Sequence, residues 1–249
     1  TELVFAQSEE LSPRIGLTGA DEELQANILS YLRVANEPCN TSLLRLQRLL
    51  PQVRRNITDA GNALGYYHVT SSAQFSAEEG CWALDMLITP GMRVTLAGVN
   101  LQVLGASTEQ ANFTDLLLDT ELRVGMPLHH GHYEALKNAL SARAADNGFF
   151  AARFEQAEIN LDLQTDQARI NLVFDPGQQF RFGQVSIIKD GNLGDELIRG
   201  LMPMQEGDFY SSSALAQLRQ NLDASQYFRQ IRVSPQLGQA VQQTVPLEL

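Results

Sequence analysis

Three aromatic pairs recur at nearly fixed spacing, each just past a helical stretch: Gly65-Tyr66-Tyr67, Gly148-Phe149-Phe150 and Gln226-Tyr227-Phe228. The first residues of the pairs are 83 and 78 positions apart. Self-similarity at such a period is the mark of one supersecondary unit copied in tandem. It constrains the chain more than any single residue does, and it favours an extended interaction surface over an enzyme cleft. Each pair is expected to open a strand.

The repetition holds position by position. Trp82, Leu84, Met86 and Ile88 fall on Ala168, Ile170, Leu172 and Phe174 at an offset of 86, and both sets alternate as a half-buried strand does. Pro90-Gly91 and Pro176-Gly177 follow at the same offset, and Val94, Leu96 and Val99 then fall on Phe180, Phe182 and Val185. Upstream of the pairs, Leu50, Val53 and Ile57 match Tyr133, Leu136 and Leu140, and Leu215, Leu218 and Leu222 repeat the steps. Spacings of three and four put these groups on one helical face.

The resulting fold class is α+β, three units each reading strand, helix, helix, strand, strand. The boundaries are an N-terminal segment 1–12, then units 13–91, 92–177 and 178–249. In the first unit the pattern predicts strands at Arg14–Leu17, Tyr67–Phe75 and Cys81–Thr89, with helices over Asp21–Arg33 and Leu49–Leu64. In the second it predicts Val94–Leu104, helices Thr108–Thr120 and Gly131–Asp146, then Phe149–Ile159 and Ala168–Asp175. In the third it predicts Phe180–Lys189, helices Leu193–Leu201 and Ser212–Ala224, then Phe228–Ser234 and Val241–Leu249. The junctions Pro90–Arg93 and Pro176–Gln179 are short, so limited hinging is expected.

The formal net charge of −11 argues against binding phosphate backbones, so no nucleic acid is expected. By unit the formal charges are −5, −5 and −1, which makes the last unit the one suited to an anionic membrane surface. No apolar run approaches the ~20 residues of a spanning helix, so a soluble chain is expected. No secretory signal stands at Thr1. Cys39 and Cys81 lie in the first unit and are a possible disulfide in an oxidising compartment; two unpaired thiols are the alternative.

The search for chemistry yields little. His129, His130 and His132 are the densest group of metal-capable side chains, but no Cys or carboxylate stands at ligand spacing beside them. A metal-dependent enzyme built on them is the alternative of another class. Gly191-Asn192-Leu193-Gly194 has the G-x-x-G form of a nucleic-acid clamp, yet no basic cluster flanks it and a helix-capping turn accounts for it. Nucleophile elbow, P-loop and zincin motifs are absent. No catalytic residue, metal or cofactor is assigned. A three-stranded sheet does have edges, which can add a partner's strand. Val69, Arg153, Phe154, Ile231 and Val233, on the strands after the aromatic pairs, are the candidate contact positions.

Gly207-Asp208-Phe209-Tyr210-Ser211, followed by Leu215, Leu218, Leu222 and Tyr227-Phe228, resembles the POTRA (polypeptide-transport-associated) signature. Gly125-Met126-Pro127-Leu128, then Tyr133, Leu136, Leu140 and Gly148-Phe149-Phe150, is a second instance, and the first unit keeps Leu64-Gly65-Tyr66-Tyr67. Three such units, with Phe180-Arg181-Phe182-Gly183-Gln184-Val185 opening the third, are most similar to the TamA branch of the Omp85 family. The resemblance implies a three-stranded mixed sheet covered by two helices in each unit. It implies a periplasmic arm attached to the outer membrane through a C-terminal barrel that is not among these 249 residues. It also implies an inner-membrane-anchored partner of the TamB kind, outer-membrane protein or autotransporter clients, and non-covalent handover without catalysis. The arm of a BamA-type factor, usually of five units, or of a two-partner secretion transporter, usually of two, is the alternative within the fold.

Overall fold

The computed structural model describes residues 12–106, 110–189 and 194–249. The N-terminal segment up to residue 11, the start of the helix expected at Thr108, and Gly191-Asn192-Leu193 of the G-x-x-G turn lie outside the described residues.

Three sheets of three strands each follow one another along the chain. The first repeat runs β1 (Arg14–Thr18), α1 (Glu22–Tyr31), a 3-10 turn (Arg33–Asn36), α2 (Leu43–Ala63), β2 (Thr70–Glu78) and β3 (Cys81–Thr89). The second comprises β4 (Thr95–Val103), α3 (Thr114–Leu118), α4 (His130–Asp146), β5 (Arg153–Asp162) and β6 (Gln167–Asp175). The third comprises β7 (Arg181–Ser186), α5 (Asp195–Gly200), α6 (Ser212–Ala224), β8 (Ser234–Pro235), a 3-10 turn (Leu237–Gln239) and β9 (Thr244–Glu248). The last strand of each repeat is central, giving the orders β1-β3-β2, β4-β6-β5 and β7-β9-β8. The first strand pairs parallel to it and the middle one antiparallel in the first and third sheets. Contacts group the chain into two compact units, one of residues 1–98, 122–133 and 160–169, the other of residues 99–121, 134–159 and 170–249.

Central strands bury alternate residues, because helices cover one face only. Trp82, Leu84, Met86 and Ile88 of β3 face Leu24 and Ile28 of α1 and Leu46, Val53, Ile57 and Ala60 of α2 in one core. Ala168, Ile170, Leu172 and Phe174 of β6 are buried in the same alternation, as are Val245 and Leu247 of β9. Asp21 caps α1 by accepting from Leu24 N at 2.8 Å.

The structure corrects three expectations. The aromatic pairs do not open strands. Tyr66 N donates to the Gly61 carbonyl (2.8 Å) and Gly65 N to that of Asn62 (3.0 Å), a Schellman closure of α2, so the pair is the hydrophobic seal of a helix end. Phe149 to Ala144 (2.8 Å) and Gly148 to Ala145 (3.3 Å) repeat it on α4, and the strands begin later, at Thr70 and Arg153. Helix α2 begins six residues before Leu49, at Leu43, with Ser42 as its cap. Pro51 lies inside the helix on the exposed side, where water can serve the carbonyl it leaves unpaired. Lastly, Phe228–Ser234 is not a strand; only Ser234 and Pro235 pair, with Glu248 and Leu247.

Candidate functional site at the sheet edges and joints

Because the last strand of each repeat is central, β2, β5 and β8 are edge strands. Strand β2 pairs with β3 over nine successive residues without a bulge, and its sequence TSSAQFSAE is small and polar. Strand β5 is ten residues long with most side chains exposed. No other strand among the described residues pairs with their outer edges, and such edges are what strand addition uses. Strand β8, two residues long, offers almost no ladder.

The five candidate positions fall differently. Arg153 opens β5, exposed, and pairs with Glu155 (2.5 Å) and Asp175 (2.6 Å), which raise its pKa. Phe154 packs its ring 5.0 Å from Phe174, with Lys137 Nζ 5.9 Å from the ring, so it supports the core side of the sheet. Val69 precedes β2 and is buried against Gly61, where an added Cβ would come within 2.7 Å of it. Ile231 and Val233 lie outside any strand and pack against the third core. Val69, Ile231 and Val233 thus lie outside the strands on which alternation had placed them. The exposed positions include Thr70, Ser72 and Gln74 in β2, and Glu155, Gln156 and Glu158 in β5. Cys39 and Cys81 form a disulfide that ties the loop before α2 to the start of β3.

Sequence reasoning missed the joints. Gly65 ends α2 at a φ of 88°, and its carbonyl accepts from Val94 N (2.9 Å), the residue before β4. Leu128 N donates to the Val94 carbonyl (2.8 Å), so the loop before α4 is stapled on. Arg93 Nε donates to the Leu64 carbonyl (2.6 Å) and Nη1 to Glu23 (2.9 Å), with its guanidinium 5.2 Å from the Tyr66 ring centroid. Tyr66 donates to Asp21 (3.0 Å), and burial first, then that bond, pushes its phenol up. Tyr67 Oη stands 2.6 Å from His130 Nε2, and burial raises this phenol too. His129 and His132 stack with centroids 4.1 Å apart, and His129 Nε2 is 3.7 Å from Glu23. His68 Nε2 lies 3.2 Å from both the Leu163 carbonyl and Asp166 Oδ1. Parallel stacking turns the histidine rings face to face, and no three metal-capable side chains converge among the described residues.

The next joint reuses the scaffold. Gly148, at a φ of 79°, accepts from Phe180 N (2.9 Å), and Tyr210 N donates to the Phe180 carbonyl (2.9 Å). Gln179 donates to the Asn147 carbonyl (2.8 Å), as Arg93 does 86 residues earlier. Side-chain chemistry differs: Phe150 packs edge-on against Phe180 (5.4 Å) and Tyr210 (4.8 Å), whose phenol is raised by burial. The signal was available in sequence, since Gly65 and Gly148 share a place in the repeat.

Residues 14–90 match the model for a POTRA domain, TamA domain 1, and residues 180–248 match the POTRA model described as a surface antigen variable number repeat. These two stretches of the chain are POTRA domains. Among solved POTRA structures similar to the chain is POTRA1-3 of the periplasmic domain of Omp85 from Anabaena. Among solved structures, the chain is similar to BamA POTRA3-5 from Haemophilus influenzae, at 16% identity over 99% of this chain and 98% of that one, with a TM-score of 0.49. It is also similar to BamA from Haemophilus ducreyi lacking POTRA domains 1-3, at 14% identity over 62% of this chain and 28% of that one, TM-score 0.45. CdiB from Acinetobacter baumannii matches at 14% identity over 63% and 29%, TM-score 0.36. No helix among the described residues is long and apolar enough to cross a membrane.

Proposed function

We propose that this POTRA chain is the periplasmic arm of a TamA-type Omp85 protein. It binds an inner-membrane-anchored partner of the TamB kind and holds extended outer-membrane or autotransporter clients by strand addition, passing them on without catalysis. The observation that carries the reading is the long, regular edge of β2, which pairs with no other strand among the described residues, and the like edge of β5 in the next repeat. Backbone hydrogen bonds give such an edge affinity for any extended segment, while its polar side chains keep it from sticking to other copies. The match of residues 14–90 to the first TamA domain supports the TamA branch over the BamA-type and two-partner alternatives.

The test is capture from envelope extract with the 249-residue chain, run beside Ser72→Pro, Arg153→Pro and Gln156→Pro variants whose circular dichroism is unchanged. Proline removes a ladder donor and breaks strand addition locally. Recovery of a large inner-membrane-anchored protein or barrel precursors, weakened by proline, is the expected result. Capture equal in all variants would overturn the edge mechanism, and recovery of no envelope protein would overturn the arm.

A further inference from the structure

The chain carries 29 Asp and Glu against 18 Lys and Arg, yet one stretch reverses that balance. Between residues 33 and 55 stand five arginines, Arg33, Arg45, Arg48, Arg54 and Arg55, and one carboxylate, Glu37. Four of the five lie on α2, and all five are exposed. We propose that the exposed face of α2 is a docking site for an acidic segment of a partner protein. Arg48 and Arg55 hold the segment's carboxylates, with Arg54 and Arg33 on either side.

Leu44, Arg48, Pro51 and Arg55 step by four, three and four residues, so they form one line along the helix, about 16 Å long. The opposite side, with Leu46, Val53, Ile57 and Ala60, is buried in the core, so the line faces solvent. Helix stability does not account for these charges. The macrodipole favours acids in a first turn and bases in a last turn. The first turn of α2 has no acid and contains Arg45, and its last turn has no base. Nor does the molecule use the charges internally. Arg14, Arg93, Arg143 and Arg153 each meet a carboxylate. On the α2 surface only Arg45 does, with Glu37 at 3.3 Å. Arg33, Arg48, Arg54 and Arg55 have no carboxylate partner among the described residues, and Asp59, the one acid of α2, bridges to none of them. Arg33 joins this surface by lining, with Gln52, a crevice of about 90 Å³ beside the helix.

The chemistry selects the occupant. Guanidinium forks take carboxylates two bonds at a time, and every cation here is arginine rather than lysine. Phosphate headgroups offer similar acceptors, but a membrane is wide and would also meet the acidic surfaces of a chain of net charge −11. Screening over about 8 Å lets a single narrow segment feel the arginines alone. Leu44, 64% exposed, gives that segment an apolar foothold at one end. Arg48 and Arg55 stand two helical turns apart, so a segment with carboxylates at that interval fits. The surface is separate from the strand edges and needs no backbone pairing.

The test is fluorescence anisotropy of a labelled peptide rich in glutamate and leucine, titrated with the 249-residue chain. The same peptide with glutamine for glutamate, and vesicles of phosphatidylglycerol, are run beside it. The acidic peptide is expected to bind, more weakly as salt is added, and the other two are not. Arg48→Gln combined with Arg55→Gln is expected to lower affinity on the order of five-fold, as two exposed charge contacts would, with circular dichroism unchanged. Arg219→Gln, which removes an exposed cation from α6, is expected to leave affinity as it was, and so is Gln156→Pro on the β5 edge. An equal loss in Arg219→Gln would reduce the effect to net charge and overturn the site. Absence of peptide binding, preference for the vesicles, or self-association of the chain that the double variant abolishes would overturn it as well.

Discussion

The joint after the first repeat and the joint after the second are built on one backbone plan. In each, a glycine beyond the helix end turns left-handed, and its carbonyl accepts from the residue that leads into the next strand. A side chain one residue earlier, Arg93 or Gln179, reaches back to the carbonyl before that glycine. The filling then diverges. The first joint is a polar network of Asp21, Glu23, Tyr66, Tyr67, Arg93 and the histidines, whereas the second is an aromatic cluster of Phe150, Phe180 and Tyr210. Aromatic pairs stabilise by burial and edge-to-face geometry and are indifferent to pH. Charged networks at half-exposed sites contribute less and depend on protonation and salt. The same architecture thus yields one joint filled by polar and charged groups and one filled by aromatic rings.

The comparison can be broken or sharpened by perturbing one side at a time. Reduction of the Cys39–Cys81 disulfide, whose partners are 42 residues apart, is expected to cost the first repeat about 4 kcal/mol through the loop it releases. The fluorescence of Trp82, the single tryptophan, follows this in a denaturant titration, and near-ultraviolet signals from the second joint are expected to persist. Phe150→Ala removes both aromatic contacts of the second joint and is expected to lower stability by about 3 kcal/mol, equally at pH 6 and pH 8. A strong pH dependence of that loss would sink the contrast. Gly65→Ala meets the Leu128 carbonyl at 2.6 Å, whereas Gly148→Ala meets the Tyr210 Cβ at the same distance. With the left-handed φ added, about 2–3 kcal/mol is expected at either glycine, because neither a carbonyl nor a Cβ moves without its backbone. Tyr67→Phe deletes only the bond to His130, for about 1 kcal/mol by thermal unfolding.

Alkaline titration gives the smallest effect and touches both joints. Burial raises the phenols of Tyr66, Tyr67 and Tyr210, so the folded state holds these protons more tightly than the unfolded chain does. Stability from this source is complete below the ordinary tyrosine value of about 10 and is lost as pH climbs past it. Ultraviolet absorbance is expected to show three phenolates appearing late. Two of the three belong to the first joint, so Tyr67→Phe should shorten the late phase there.

The repeat, the strand faces and the helix faces were legible because each depends on residues two, three or four positions apart. Trp82, Leu84, Met86 and Ile88 alternate in sequence and are buried together in the structure. The aromatic pairs were legible as a period but misread as strand openings, since a helix seal and a strand start both demand large apolar groups. The start of α2 was placed late because the expectation rested on the apolar steps Leu50, Val53 and Ile57, and the exposed first turn after the Ser42 cap adds little to that pattern. For the candidate edge, membership of the strand was recoverable and the exact positions were not: one or two residues of displacement moved Val69 into the core.

By itself, the sequence determined a tandem α+β chain of three units and which residues of each would be buried, because burial patterns are written in local periodicities. Only the tertiary structure decided that His68 meets Asp166, 98 positions away, and that Tyr67 meets His130. It also decided which ladders are long enough to leave a usable edge. Those outcomes depend on how loops from two repeats converge and on which strand lies at the centre of each sheet, and neither is encoded in the spacing of neighbours along the chain.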